Sequence, residues 1–226
     1  MFLLTWNVGL ITDWFRYLFM GRILNKKQTI NSISEHINKN KYDTIFFQEL
    51  YIKEFESLSN KIDYTFKYCQ NKLGLSIVSN NNLEFIKTVF FNKSICNYLF
   101  CSYNGFVILY DNDNDIYLVN VHLNSCFLNY ILSNELDILK EELDKLNKDK
   151  KIIFGGDFNI SRYYSLILKD KFKIEFNKLN NYKSYNYLFD INLDYIFCYQ
   201  NNQCEELKST CIETLESDHY PILTEI

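Results

Sequence analysis

Four polar residues lie where apolar runs of this sequence end. Asn7 closes FLLTWN, Glu49 closes TIFFQE and Asp157 closes KIIFGGD, while His122 is the penultimate residue of IYLVNVHL. Ligand-binding groups gather at the carboxyl ends of strands in an open α/β sheet. A glutamate there is a hard oxygen donor for Mg²⁺, although a lone acid is more often a solvated strand end and Asn7 alone is typical of a turn.

Asp157 and Asn159 give the sharpest of these signals. They follow a buried run and two glycines, Gly155 and Gly156, which allow close approach of another backbone. A carboxylate that only accepts hydrogen bonds, beside an amide that can donate them, suits holding a phosphoryl oxygen and an attacking water. An Asx turn that closes the strand explains the same residues equally well.

A buried acid and a terminal histidine form a second candidate pair. Asp194 lies inside the apolar run LDYIFC, and a charge within a buried strand needs a partner. Histidine is a suitable partner because a carboxylate fixes the tautomer of the imidazole and supports its protonated form. We therefore expect Asp194 to contact His219. The third histidine, His36, lies on an isoleucine-striped helix and is expected to pack or face solvent.

The elements that must position these residues follow from hydrophobic periodicity. Isoleucines in NKKQTINSISEHINKN and leucines in ILSNELDILKEELDKLN predict helices, and the second helix is a natural crossover from the strand ending at His122 to the strand ending at Asp157. The run 111–115 predicts a hairpin turn. Strands alternating with helices predict mixed sheets covered by helices. The predicted strands are 2–7, 44–49, 74–79, 84–91, 105–110, 116–123, 151–157, 193–198 and 220–225.

One strand shows how an apolar face can lead into a site. Side chains two residues apart along a strand share a face. In the strand 116–123 this period aligns Ile116 and Leu118 with Asn120 and His122. The apolar face therefore becomes polar towards its end, which is unfavourable for a core and suitable for a site.

The composition is that of a soluble globular protein. Of 226 residues, 47% are hydrophobic and 23% are charged, and no linker or repeat divides the chain, so we expect one domain over 1–226. The net charge of −4 provides no basic field for nucleic acid. The seven scattered cysteines lack a CxxC pair, which indicates a reducing compartment. The apolar start lacks a basic region and a cleavage site, so we expect a cytoplasmic protein without a signal peptide or transmembrane helix.

The order of the motifs is informative beyond each motif alone. Together they resemble the motif series of the endonuclease/exonuclease/phosphatase (deoxyribonuclease-I-like) superfamily, and they span residues 5 to 221. The motifs are Thr5-Trp6-Asn7, Phe47-Gln48-Glu49, Asn120-Val121-His122-Leu123, Gly156-Asp157-Phe158-Asn159, Leu193-Asp194-Tyr195-Ile196-Phe197 and Ser217-Asp218-His219-Tyr220-Pro221.

The resemblance implies a fold and a reaction. The fold would be an α/β, four-layer sandwich of two mixed sheets flanked by helices, and the activity a phosphodiester hydrolysis that depends on Mg²⁺, with Mn²⁺ as a substitute. Glu49 would be the principal metal ligand, helped by Asn7 and Asp218.

The resemblance also implies roles for the remaining motif residues. Asp157 and Asn159 would orient the nucleophilic water and the phosphate, and His122 would hydrogen-bond the phosphate. His219, oriented by Asp194, would act as general acid/base or stabilise the transition state, a role that accounts of the family divide between it and the residue matching Asp157.

The sequence leaves two substrate classes open. Residues 74–79, followed by Glu84 and Phe85, resemble a stretch of neutral sphingomyelinases, which would make the substrate a phospholipid head group. The aromatic segment 14–20 could then contact a membrane peripherally, although a segment that is apolar on all sides favours a buried helix. Nucleic acid is the alternative, with its phosphates held by lysines such as Lys26, Lys27, Lys72 and Lys93.

Two positions depart from the pattern of nuclease members of the family. Gly9 stands where some nuclease members carry an acid, and His122 occupies the motif that holds a substrate-contacting tyrosine in AP endonucleases.

Arg162 could reach a phosphate, but a surface ion pair is the favoured reading. A non-catalytic binding module is the least favoured function because all the motif acids, amides and histidines are present. No obligate protein partner is indicated.

Overall fold

A computed structural model describes residues 1–9, 26–91, 104–124, 129–160, 166–173, 193–213, 217 and 219–226. The strands are β1 (Phe2–Asn7), β2 (Thr44–Gln48), β3 (Phe66–Gln70), β4 (Leu75–Ser79), β5 (Leu83–Phe90), β6 (Gly105–Asp111), β7 (Ile116–His122), β8 (Lys151–Asp157), β9 (Asp194–Gln200), β10 (Gln203–Glu206), β11 (Ser209–Cys211) and β12 (Ile222–Glu225). The helices are α1 (Lys26–Asn40), α2 (Ile52–Ser59), α3 (Asn129–Asp144) and α4 (Leu166–Phe172).

The strands form two mixed sheets. The first has the order β11-β12-β1-β2-β4-β3 and the second the order β10-β9-β8-β7-β6-β5. In the first sheet β1 is parallel to β2 and antiparallel to β12. In the second, β7 is parallel to β8, while β6 and β9 run antiparallel to their neighbours. The predicted pair of mixed sheets is confirmed, and α3 makes the predicted crossover between β7 and β8.

Alternation along the strands separates three apolar clusters. The cluster between the sheets includes Phe46, Leu118 and Ile196. A second cluster packs α1 and α2 on the outer face of the first sheet, and a third packs α3 and α4 on the outer face of the second. Complete burial of each large apolar side chain contributes roughly 1.5–3 kcal/mol. The result is the expected helix–sheet–sheet–helix sandwich.

The inner face of β7 behaves as its period predicts. Ile116 and Leu118 belong to the cluster between the sheets, whereas Val119 and Val121 belong to the cluster under α3. Asn120 and His122 continue the inner face and are buried. The same face that holds the sheets together therefore becomes polar where the strand ends.

Several elements were not predicted from the sequence. β3 is an edge strand whose residues are mostly half-buried, and its five residues, FKYCQ, contain no continuous apolar run. The eight-residue helix α2 buries only Phe55 and Leu58, which is too few positions to establish a helical period. The elements β10, β11 and α4 are likewise too short to establish a period.

Some predictions fall on residues that are not described. Segment 14–20, Lys93 and Arg162 lie outside the described residues. Within the described part of the chain, none of the helices is both long and apolar enough to cross a membrane.

Candidate active site

The site forms where the carboxyl ends of β1, β2, β7 and β8 meet across the two sheets. Parallel pairing places Asn7 beside Gln48 in one sheet and His122 beside Asp157 in the other. Antiparallel pairing of β8 with β9 then places Asp194 opposite Asp157. Strand register thus gathers side chains that are far apart in the sequence, as predicted for strand ends.

Asp157 is the centre of this cluster. Its Oδ2 accepts a hydrogen bond of 2.8 Å from Nδ2 of Asn7, which joins the two sheets. The same oxygen lies 3.8 Å from Nε2 of His122 and 3.9 Å from Nε2 of His219. Its other oxygen, Oδ1, accepts the backbone N–H of Asn159 at 2.8 Å. One buried carboxylate therefore contacts or faces four of the predicted site residues.

The predicted pairing of Asp194 with His219 is present. Oδ2 of Asp194 lies 2.8 Å from Nδ1 of His219, and both side chains are buried. A carboxylate accepts hydrogen bonds, so Nδ1 donates to Asp194; in the neutral imidazole Nε2, which faces Asp157, is then left as an acceptor. This orientation gives His219 a proton-accepting nitrogen directed into the site.

The segment that carries His219 is held against β1. Nε1 of Trp6 donates to the carbonyl oxygen of His219 at 3.2 Å. Oγ of Ser217 donates to the carbonyl oxygen of Asn7 at 2.8 Å and accepts the N–H of His219 at 3.1 Å. The end of the chain is thereby fixed relative to the first strand. Asp218 lies outside the described residues, and its proposed metal-binding role stays a prediction.

Burial sets the protonation of the central groups. Desolvation raises the pKa of Asp157 to about 6, because the attraction of His219 offsets only part of it and the negative charge of Asp194 adds to it. Desolvation lowers the pKa of His122, although Asp157 opposes that shift. The neutral imidazole is consequently the favoured form of His122.

Glu49 lies at the rim of the cluster. Its Oε1 is 4.0 Å from Nε2 of His122, and its side chain is 20% exposed, unlike the buried Asp157. Its backbone has a φ of 58°, and that of Asn159 has a φ of 52°. Non-glycine residues in this left-handed region cost about 1–3 kcal/mol and concentrate at functional sites. Both predicted site residues therefore adopt a backbone conformation that is uncommon for non-glycine residues.

The donor set suits a hard cation. Glu49 offers a partly exposed carboxylate, and Oδ1 of Asn7 accepts one bond of 2.9 Å from the N–H of Gly9, which leaves a second lone pair. Oxygen donors of this kind fit Mg²⁺. Asp157, Asp194 and His219 also offer ligand atoms within 4.8 Å of one another. In this trio Nδ1 of His219 is already engaged by Asp194 at 2.8 Å.

A buried amide bridge below the site joins the two sheets. Nε2 of Gln48 donates to Oδ1 of Asn120 at 2.7 Å, and Nδ2 of Asn120 donates to the carbonyl oxygens of Phe47 and Ser76. Gln48 precedes Glu49, and Asn120 lies two residues before His122. Both amides belong to the motifs that resemble the family, but the sequence alone did not indicate a role for either of them.

The glycine pair before Asp157 permits the close approach that its sequence predicted. A Cβ at Gly156 would lie 2.0 Å from the carbonyl oxygen of Val121, and the φ of Gly156 is 142°. A Cβ at Gly155 would lie 3.0 Å from the carbonyl oxygen of Tyr195. β8 can therefore pass between its neighbours and deliver Asp157 to the site.

His36 takes no part in the cluster. Its Nε2 lies 2.9 Å from the hydroxyl of Tyr42, and its ring meets that of Trp6 edge-on with centroids 5.7 Å apart. These contacts and its intermediate burial agree with the expectation that it packs or faces solvent. Lys26 forms an ion pair of 3.2 Å with Glu54.

Two mixed sheets joined at a cluster of acids, amides and histidines form the framework of this site. The model of the Endonuclease/Exonuclease/phosphatase family matches residues 4–219, and the chain belongs to that family. Members of this family are hydrolases that act on phosphoester bonds. The resemblance inferred from the ordered motifs is confirmed.

Solved structures share the fold at low sequence identity. A variant of beta toxin from Staphylococcus aureus with bound magnesium ions has a TM-score of 0.67 and 18% identity, covering 98% of each chain. Sphingomyelinase C from Streptomyces griseocarneus has a TM-score of 0.67 and 15% identity over 99% of this chain and 98% of that one. A humanized D. rerio TDP2 has a TM-score of 0.69 and 15% identity over 99% and 97%. No curated protein matches the sequence.

Proposed function

We propose that this protein is a Mg²⁺-dependent phosphodiester hydrolase that uses water as the nucleophile. The observation that carries the proposal is the buried pair of Asp194 and His219, whose Nε2 faces Asp157 at 3.9 Å. A histidine oriented by a carboxylate is suited to move a proton during catalysis. Family membership supports the reaction class.

In this proposal each side chain has its own catalytic role. Asp157 and Asn159 orient the attacking water and the phosphate, and His219 transfers a proton through Nε2. A neutral His122 has Nε2 directed towards Glu49 and Asp157, so it can donate a hydrogen bond to a phosphoryl oxygen.

Glu49 and Asn7, with Asp218 as a predicted third ligand, would hold the metal ion. When bound, Mg²⁺ supplies positive charge that stabilises the phosphoryl oxygens; Mn²⁺ is the expected substitute. The magnesium ions in the beta toxin structure support this assignment.

The reaction can be tested without knowing the natural substrate. Purified protein should hydrolyse bis(p-nitrophenyl) phosphate with Mg²⁺ and lose activity in EDTA. Asp157→Asn and His219→Asn should each lower kcat by about 10²-fold or more, the contribution typical of acid–base catalysis. Unchanged Mg²⁺-dependent hydrolysis by Asp157→Asn would refute the proposal.

The substrate is proposed to be a phospholipid head group or nucleic acid. The similar structure of sphingomyelinase C supports the lipid class, and the nuclease members of the Endonuclease/Exonuclease/phosphatase family support the nucleic-acid class. A panel of sphingomyelin, nicked, abasic and single-stranded DNA, 5′-tyrosyl-DNA and inositol phosphates would separate them. Retention by liposomes but not by DNA would favour the lipid, and the reverse would favour the nucleic acid.

We further propose that residues 1–226 act as one catalytic domain. The site requires Asn7 of the first strand and His219 near the last, and their segments are hydrogen-bonded through Ser217. Removing the final ten residues should therefore abolish activity by removing His219 as well as β12. An active, folded truncation would show that the histidine is misassigned.

A further inference from the structure

Glu135 is a buried carboxylate outside the predicted motifs. It lies on α3, is 2% exposed, and is flanked by Leu132, Leu136 and Leu139, which pack on the second sheet. An ionisable side chain in such surroundings is costly unless it is hydrogen-bonded. The leucine stripe of the sequence places position 135 beside the apolar face of the helix, and this is the sequence signal for a buried acid.

The partner of Glu135 is the segment that follows β7. Its Oε2 accepts the backbone N–H of Asn124 at 3.0 Å, and its Oε1 accepts Nδ2 of the same residue. Both carboxylate oxygens are thus used to hold one loop residue. Desolvation raises the pKa of Glu135 to about 7, against the lowering effect of these two bonds.

The held segment is also bonded to the proposed catalytic residues. The N–H of Leu123 donates to the carbonyl oxygen of Asp157 at 2.9 Å. The carbonyl oxygen of Leu123 accepts Nδ2 of Asn159 at 2.8 Å and Nδ2 of Asn104 at 2.9 Å. His122, Leu123 and Asn124 are consecutive residues. An anchor at Asn124 therefore limits the freedom of His122 and of the Asn159 amide, which is bonded to Leu123.

We propose that Glu135 is a positioning residue, which fixes the Leu123–Asn124 segment and through it sets the placement of His122 and the side chain of Asn159. It acts through hydrogen bonds of α3 to the loop and does not touch the substrate. The inference rests on the proposed function for its effect on rate, but its structural part can be measured without activity.

Two substitutions separate positioning from packing. Glu135→Gln keeps an acceptor for the N–H of Asn124, and the Asn124 amide can turn over to accept from the new amide. Glu135→Ala removes both acceptors. Glu141→Gln is the matched control, because Glu141 is exposed on the same helix.

The first measurement is steady-state hydrolysis of bis(p-nitrophenyl) phosphate with Mg²⁺, well below the unfolding temperature. Glu135→Ala should lower kcat by about 100-fold with a smaller change in KM, as expected when catalytic groups are misplaced by about 1 Å. Glu135→Gln should restore a kcat close to that of the wild type, and Glu141→Gln should not alter it.

The second measurement needs no substrate. The protein has three histidines, so their ring signals in a heteronuclear NMR spectrum can be assigned by single replacements. Glu135→Ala should shift the His122 ring signals, while Glu135→Gln and Glu141→Gln leave them in place. A folded Glu135→Ala with wild-type kcat and unshifted His122 signals would overturn the inference.

Misfolding of Glu135→Ala and failure of the proposed function can both be distinguished from failure of the positioning role. If Glu135→Ala does not fold, Asn124→Ala removes the side-chain bond alone and should still shift the His122 signals; unshifted signals would overturn the inference. If the wild type hydrolyses no phosphodiester but the His122 signals move as expected, the proposed function is wrong and the positioning role stands.

Discussion

Replacing Asp194 by Asn tests the proton-transfer role of His219 most directly. Asp194 is 1% exposed, and its Oδ2 lies 2.8 Å from Nδ1 of His219. Asn has nearly the same shape, so the fold should persist. Its amide can donate to Nδ1, which would move the imidazole proton to Nε2 and remove the acceptor that faces Asp157.

The expected loss follows from the contribution of a positioned acid–base group. That contribution is about 10²–10⁴-fold in rate, so kcat of Asp194→Asn should fall within this range while KM changes little. The assay is Mg²⁺-dependent hydrolysis of bis(p-nitrophenyl) phosphate as a function of pH. ¹⁵N shifts of the His219 ring should report the exchanged tautomer.

A surface aspartate provides the control for this change. Asp137 pairs with Lys171 at 2.5 Å and is 46% exposed, so Asp137→Asn should leave kcat unaltered. A folded Asp194→Asn enzyme with kcat within about tenfold of the wild type would refute the role of the pair, since that loss is below the range for acid–base catalysis.

Three further outcomes are expected. Gly156→Ala should lower the free energy of unfolding by more than about 1 kcal/mol, because its Cβ would meet the carbonyl oxygen of Val121 at 2.0 Å with φ at 142°; an unchanged urea midpoint would contradict this. Glu49→Gln should raise the Mg²⁺ concentration for half-maximal activity more than about tenfold, because a unit charge close to the ion is lost; equal Mg²⁺ titrations would contradict it. The raised pKa of Glu135 means that the folded state binds the Glu135 proton more tightly than the unfolded state does. The stabilisation of the fold by this proton is complete below the ordinary pKa of glutamate and is lost as pH rises through about 7. The free energy of unfolding of the wild type relative to Glu135→Gln should therefore decline by at most about 3 kcal/mol between pH 4 and 8 in urea titrations, and a flat difference would show that the carboxyl is not perturbed.

The fold was predictable where elements are long and strongly patterned. α1, α3 and the central strands carry clear periods, and their predicted bounds agree with the structure within a few residues. β11 and α2 were missed because such short elements bury too few side chains to establish a period, and β3 because it contains no continuous apolar run. Their existence depends on neighbouring strands and helices that supply the missing contacts.

The sequence by itself determined which chemical groups stand at the strand ends and in what order. Alternation two residues apart put Asn120 and His122 on the inner face of β7, and the buried charge of Asp194 required a partner such as His219. Local patterns suffice for such statements because side-chain direction in a strand is a local property.

Only the tertiary structure decided how these groups share their hydrogen bonds. The bond from Asn7 to Asp157, the hold of Trp6 on His219 and the anchoring of Asn124 by Glu135 join different elements. Asn7 and Asp157 are 150 residues apart, and Trp6 and His219 are 213 apart. Such contacts follow from strand register and from the packing of two sheets against each other, which no local pattern encodes.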